Sequence, residues 1–231
     1  MRNFQLPRRS AVYAMNGMAA TSHPLASEAA LSTLKQGGNA VDAALSAVLV
    51  QCVVEPQMVG IGGDCFALIS EPDGTIHGLN SSGRAPAAAD AASLRAAGMT
   101  EIDDRSGHAV TVPGAVHGFE ALAKRFSRLG LAAALRRAIE LASDGFPVSP
   151  RVAWDWSRAE GLDGRPGSAR HLLFQDRPPV AGQVVTFPAL ADCLRAIAES
   201  GSSAFYEGDI AEDIAATVQA EGGVMTLDDM A

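Results

Sequence analysis

The amino-acid sequence predicts an α+β fold, and three observations predict it. One helical segment is apolar on nearly every side, two short strands are joined by a strong turn signal, and later segments carry an apolar stripe on one helical face only. A helix apolar all round must be covered on most sides, which places it inside a layered structure.

The stretch SAVYAMNGMAAT (residues 10–21) alternates weakly and predicts an early strand with a turn at Asn16-Gly17. In SHPLASEAALSTLKQGG the pattern predicts a helix. Ser22 is the expected N-cap, Pro24 lies in the first turn where its missing donor costs little, and Gly37-Gly38 form the stop. Asn39 is placed to cap the next helix, with Asp42 near the positive end of its dipole. This is the all-round apolar segment, AVDAALSAVLVQCVVE, and Pro56 ends it. Gly60, Gly62 and Gly63 then precede a strand, and they let the backbone turn sharply and approach a neighbouring segment.

CFALISEPDGTIHGLNSS is the predicted hairpin, turning at Pro72-Asp73-Gly74. PGAVHGFEALAKRFSRLG aligns Val116, Phe119, Ala123 and Phe126 on a helix expected to run to Gly130. LAAALRRAIELASDGF aligns Leu131, Leu135, Ala138 and Ala142, with Gly145 as its stop. Two further helices carry Leu190, Leu194 and Ile197, and then Ile210, Ile214 and Val218. Residues 161–183, ahead of these two helices, read as loop-rich and in part as connection. The closing TLDDMA reads as an N-cap, Thr226, and an acidic first turn, from which the chain is expected to be cut short.

Composition bounds the function. With 48% hydrophobic and 19% charged residues, the 231-residue chain suits a packed globular protein. Its formal charge of −8 argues against nucleic-acid binding, which needs a basic surface, and Arg136-Arg137 reads as a solvated helix face. Cys52, Cys65 and Cys193 are widely spaced and odd in number, which suits buried thiols and neither a zinc site nor a disulfide framework. The N-terminus has basic residues without a following apolar region, so no secretory signal is read. The longest apolar run falls short of the roughly 20 residues needed to span a bilayer. The expectation is a soluble, cytoplasmic chain.

No complete catalytic set can be assembled from spacing. The glycine loop enters a strand instead of opening a helix and has no following lysine, so it lacks the features of a phosphate cradle. Cys65, at a strand entrance with no identified base, reads as a core thiol. His23 could pack or cap near its helix start, no spaced carboxylate orients it, and His77, His108, His117 and His171 carry still weaker signals. Asp64 is left undecided between binding loop amides and remaining solvated. Ser81-Ser82-Gly83-Arg84 follows the second strand, in a loop position suited to binding. Arg84 offers a planar fork for a carboxylate, and it equally fits a surface arginine beside Pro86; the residues alone leave both readings open.

Taken together, MAATSHPLASEAALSTLKQGGNAVDAALSAVLVQCVVEPQMVGIGGDCFAL strongly resembles the start of the gamma-glutamyltranspeptidase (gamma-glutamyltransferase) family. APAAA, TVPGAVHGF, AIELASDGFPVS, FYEGDIAEDIA and GGVMTLDDMA continue the likeness in order, from about Ala14 onward. The resemblance implies an N-terminal-nucleophile hydrolase, an αββα sandwich whose precursor cleaves itself into a large and a small subunit. Residues 1–231 would be a partial large-subunit portion of that single domain.

In the family, the new N-terminal threonine of the small subunit is the nucleophile and its own amine the base. That is reasonable chemistry for an amine with a pKa of about 7.7–8.0. The implied partners are the missing small subunit and a gamma-glutamyl or other acid-amide donor. No cofactor and no metal are implied, and no residue of this chain, Thr21 and Thr226 included, is promoted to the catalytic position. The chain alone is expected to be inactive.

The family's transpeptidases place a carboxylate-binding arginine three residues before the AP pair; here Ser82 stands there, and Arg84 immediately precedes Ala85-Pro86. NSSGRAP resembles a branch that includes amidohydrolases. Arg84 and Ser82 are therefore the expected substrate-binding residues, with an amidohydrolase of oxamate-like acids or acylated beta-lactams, or a non-catalytic module, as alternatives.

Overall fold

The computed structural model describes residues 11–158 and 166–231. Its elements are α1 (Pro24–Lys35), α2 (Ala40–Val54), β1 (Cys65–Ser70), β2 (Ile76–Ser81), α3 (Ala91–Ala96), a 3-10 turn (Gly107–Ala109), α4 (Ala115–Phe126), α5 (Leu131–Asp144) and β3 (Phe146–Pro147). There follow α6 (Pro150–Trp156), α7 (Pro166–Leu172), β4 (Val184–Val185), α8 (Pro188–Ser200), α9 (Ser203–Tyr206), α10 (Asp209–Ala220) and α11 (Leu227–Met230). The fold is α+β, with two separate antiparallel ladders, β1–β2 and β3–β4.

Helix α2 is the centre of the packing. It lies against α1 and α5, and α5 in turn lies against α8. Its Leu45, Leu49, Val50 and Val53 are at most 1% exposed. Each such burial contributes about 1.5–3 kcal/mol. The neighbours present Ala26, Ala29 and Ala30 from α1 and Ala134, Ala138 and Ala142 from α5, all buried. Small side chains at a helix contact let the axes approach. Asn39 caps α2 through its Oδ1, which accepts from the amides of Val41 and Asp42, while the Asp42 carboxylate accepts from the Asn39 amide. This is the reciprocal capping box.

The hairpin forms as expected, in a register that runs from Cys65 opposite Ser81 to Ser70 opposite Ile76. Its inner side chains Cys65, Ala67, Ile69 and Leu79 pack on the core, and both strands contact α4. The opposite face is apolar and open: Phe66, Leu68 and Ile76 are 64%, 84% and 68% exposed. The sandwich implied by the family likeness is thus present in part, because no second sheet covers that face among the described residues.

Several local expectations are corrected. Residues 11–21 form no strand, and nothing among the described residues pairs with them; Ser10 lies outside the described residues. The N-cap of α1 is His23, not Ser22: the ring Nδ1 accepts from the Leu25 amide, while Ser22 Oγ turns to Glu55. Helix α4 stops at Phe126, and Gly130 begins α5. The cause is Asp42, whose buried carboxylate accepts from Ser127 Oγ and from the amides of Arg128 and Leu129, so these residues leave the helix to reach it.

The stretch read as connection contains α7 and a bridge between Phe174 and Arg177, with residues 161–165 outside the described set. Helix α7 is held by Trp156, whose indole donates to the Leu172 carbonyl at 3.0 Å and whose ring stands edge-on to Phe174. At the chain's last turn, Thr226 is the N-cap of α11 with Asp228 and Asp229 in its first turn, as expected, and it forms a second capping box with Asp229. No helix among the described residues is long and apolar enough to cross a membrane.

Candidate functional site

The candidate site is built where β2 ends against the start of α4. After Ser81 the chain turns back so that the Val112 amide donates to the Arg84 carbonyl at 2.9 Å and Ser81 Oγ donates to the Gly114 carbonyl at 2.7 Å. Gly83, with φ of +78°, makes this turn possible; a Cβ there would fall 1.7 Å from the Val112 oxygen. Only glycine combines that backbone with that contact. Gly118 does the same for the helix: a Cβ would sit 2.8 Å from Cys65 Cβ and 2.9 Å from Ser81 Cβ.

The Gly60–Gly63 loop serves this junction by a different route from the one expected. Added Cβ atoms at Gly60 and Gly62 would meet nothing within 4 Å, so these glycines are not sites of close approach. Instead, the Gly63 carbonyl accepts the amides of Gly114 and Ala115 at 3.0 and 2.9 Å. Two orphan donors of the α4 start are thereby satisfied by protein and are not offered to an anion.

The result is a cleft of about 420 Å³ whose lining includes Ser82, Arg84, Gly114, His117, Met230 and Ala231. Both predicted binding residues therefore meet in one place. Arg84 is exposed, and its Nη2 donates to the carbonyls of Asp229 at 2.9 Å and Ala231 at 2.7 Å. Its Nε and Nη1 donors have no partner among the described residues, and a guanidinium can serve an anion through such donors. Ser82 is half-buried, and its Oγ makes only a long 3.4 Å contact to the Gly83 carbonyl.

Beneath Arg84, the Asp229 carboxylate accepts from the Ala87 amide and from the amide and hydroxyl of Thr226. These bonds, with Arg84 nearby, hold its carboxyl below the ordinary range.

His117, in the cleft wall, carries only a weak signal in the sequence, and Tyr206, buried behind it, carries none. His117 stacks on Tyr206 with centroids 3.8 Å apart and 13° between planes. The Tyr206 hydroxyl donates to the Pro113 carbonyl at 2.7 Å and accepts from the His117 amide at 3.2 Å. Burial of the stacked ring lowers the His117 pKa; Glu120 opposes this, while Arg84 and Lys124 reinforce it. The only sequence signal was a histidine between the apolar positions Val116 and Phe119, on the polar side of the α4 stripe.

Elsewhere the functional signals resolve into structure. His23 is 4% exposed, and its Nε2 has no partner among the described residues. Because Nδ1 accepts a backbone proton, the neutral ring carries its own proton on Nε2. Burial lowers its pKa, with Glu55 opposing. Ser22 Oγ donates to Glu55 Oε2 at 2.5 Å, so the serine is not activated by the histidine.

Thr21 donates to the His23 carbonyl and Thr226 to Asp229, so both hydroxyls are spent on turns. His77 lies at the surface between Glu71 and Arg125, and Asp64 is exposed without a hydrogen bond among the described residues. The three cysteines are free; burial raises Cys52 to about 12 and Cys193 to about 11 and pushes Cys65 upward. Among the described residues, no group of three His, Cys, Asp or Glu is placed to hold a metal ion. A larger open groove of about 570 Å³ runs along α1, but Glu28 and Lys35 are the ionic groups in its lining and no buried polar set converges there.

Residues 26–231 match the family model described as gamma-glutamyltranspeptidase. An oxamate amidohydrolase proenzyme of Klebsiella pneumoniae is 40% identical over 93% of this chain and 42% of its own length. A cephalosporin acylase from Bacillus halodurans has a solved structure that matches with a TM-score of 0.89 and 40% identity, covering 99% of this chain and 44% of that one. The gamma-glutamyltranspeptidase of Helicobacter pylori matches with a TM-score of 0.89 and 30% identity, over 96% of this chain and 65% of that one. The chain spans about two-fifths of the length of the curated relatives it matches.

Proposed function

Because this chain belongs to the gamma-glutamyltranspeptidase family and carries part of its N-terminal-nucleophile hydrolase fold, we propose that it is the acid-recognising portion of an enzyme that cleaves amides of small acids. In this reading residues 1–231 belong to the large subunit, Arg84 and Ser82 bind the donor's carboxylate, and the nucleophilic threonine lies in polypeptide outside this chain. The threonine hydroxyl adds to the amide carbonyl as its proton passes to the threonine's own amine. The C–N bond then breaks, the leaving amine takes a proton, and water or an amino group attacks the resulting ester, taking its acyl group and returning the threonine hydroxyl.

The observation that carries the reading is the position of Arg84. It stands at a glycine-built turn, in a cleft, with donors to spare. A gamma-glutamyl donor is the leading substrate, as the family model suggests. An oxamate-like acid amide is the second reading, favoured by the likeness to the Klebsiella amidohydrolase.

Intact mass of the complete protein, followed by assays with gamma-glutamyl anilide and with oxamate, tests the proposal. A cleaved product with an N-terminal threonine and turnover of one acid amide supports it, and the preferred substrate decides between the readings. An uncleaved protein inert toward both leaves a binding or structural module in its place. The chain alone is expected to show no turnover.

A further inference from the structure

We propose that His117 is a specificity-determining residue of the same cleft, hydrogen-bonding the acid end of the substrate beside Arg84. This rests on the acid-amide reading above and adds a second recognition group to it. The ring is fixed on one side only. Tyr206 is 4% exposed, its hydroxyl is tied to Pro113 and to the His117 amide, and its ring face covers the imidazole. The remaining face and edge of His117 are exposed and help to line the cleft. Neither ring nitrogen has a hydrogen-bond partner among the described residues. A rigid imidazole with free nitrogens at a cleft wall is pre-organised to bind, since little rotamer freedom remains to be lost when a ligand arrives.

The surroundings decide the chemistry of the ligand. Arg84 and Lys124 act on the ring as cations, Glu120 as an anion, and the covered face is removed from water. A protonated ring is disfavoured there, so at neutral pH the imidazole offers one N–H and one acceptor nitrogen. Arg84 supplies the charge that attracts a carboxylate, and His117 supplies a directional donor to one of its oxygens. An amide of a small acid, which presents a carboxylate close to an amide carbonyl, matches this pair. A neutral amide loses the charged contact and accepts only a weaker, neutral hydrogen bond from the histidine.

The complete enzyme tests the assignment with matched substrates: oxamate against oxamide, or gamma-glutamyl anilide against 4-aminobutyryl anilide, which lacks the α-carboxylate. His117→Phe keeps a ring on Tyr206 and removes both nitrogens; His117→Gln restores a donor. With His117→Phe, the KM for the acid substrate is expected to rise about tenfold more than the KM for its neutral partner. The kcat should change less than KM, and His117→Gln should recover part of the loss.

Equal effects on acid and neutral substrates, or no effect on KM, overturn the proposal. So does a loss in both variants that follows a lowered melting temperature. If the unsubstituted enzyme shows no preference for acid over neutral amides, the acid-amide reading fails and this inference falls with it. A strong preference that survives His117→Phe overturns the inference alone.

Discussion

Asp42 shows how one side chain can set the course of two helices. Its carboxylate is 1% exposed, closes the capping box of α2, and accepts from Ser127 and from the amides of Arg128 and Leu129. Burial opposes its ionisation, but the hydrogen bonds from Ser127, Asn39, Leu129 and Arg128 outweigh that cost and lower its pKa. Asp42→Ala leaves these donors unsatisfied in the core and is expected to cost about 3 kcal/mol in urea unfolding. A loss below 1 kcal/mol would mean that water reaches the site.

His23 gives a pH dependence of the same sign, though its cause is burial of the ring instead of hydrogen bonding to a charged group. Its folded pKa lies below the ordinary 6.5, so the unfolded chain binds the proton more readily. Stability is therefore expected to fall as pH drops below about 6.5. Melting temperatures between pH 5 and 7 should show a smaller slope in His23→Gln, and an unchanged slope would remove the histidine from the account.

At the scale of elements, glycines decide how closely α4 can lie on the hairpin. Gly118 has no unusual backbone angle, so Gly118→Ala isolates the contact: its Cβ meets Cys65 and Ser81 side chains below 3 Å. An expected cost of about 1–3 kcal/mol follows from overpacking. Gly74→Ala isolates the other effect, since its φ is +88° and nothing lies within 4 Å. It should cost about 1 kcal/mol through backbone strain alone. Thermal unfolding of the two variants ranks them, and a larger loss at Gly74 would contradict the close-packed junction.

The helical stripes and the hairpin turn were legible in the sequence because they depend on local spacing: Leu194 and Ile197, or Pro72-Asp73-Gly74, announce themselves. The end of α4 was not legible, because Asp42 acts on it across 85 residues of chain. Helix α7 was missed in a glycine- and proline-rich stretch, where contacts with Trp156 outweigh propensity.

For the whole molecule, the same division separates the site's members. Ser82 and Arg84 could be marked from their loop position and from the family likeness, whereas His117 and Tyr206, 89 residues apart, become partners only through the fold. The open apolar face of β1–β2 and the length of the matched relatives agree with a chain that carries part of a larger fold. What this part is proposed to contribute is recognition of an acid, and Arg84 is the group on which that claim turns.

The most direct measurement is the KM of the complete enzyme for its preferred acid amide, with arginine and with Arg84→Ala. Loss of about 2 kcal/mol of charged hydrogen bonding predicts a rise of about thirtyfold in KM with a smaller change in kcat. A KM that does not move would contradict the account.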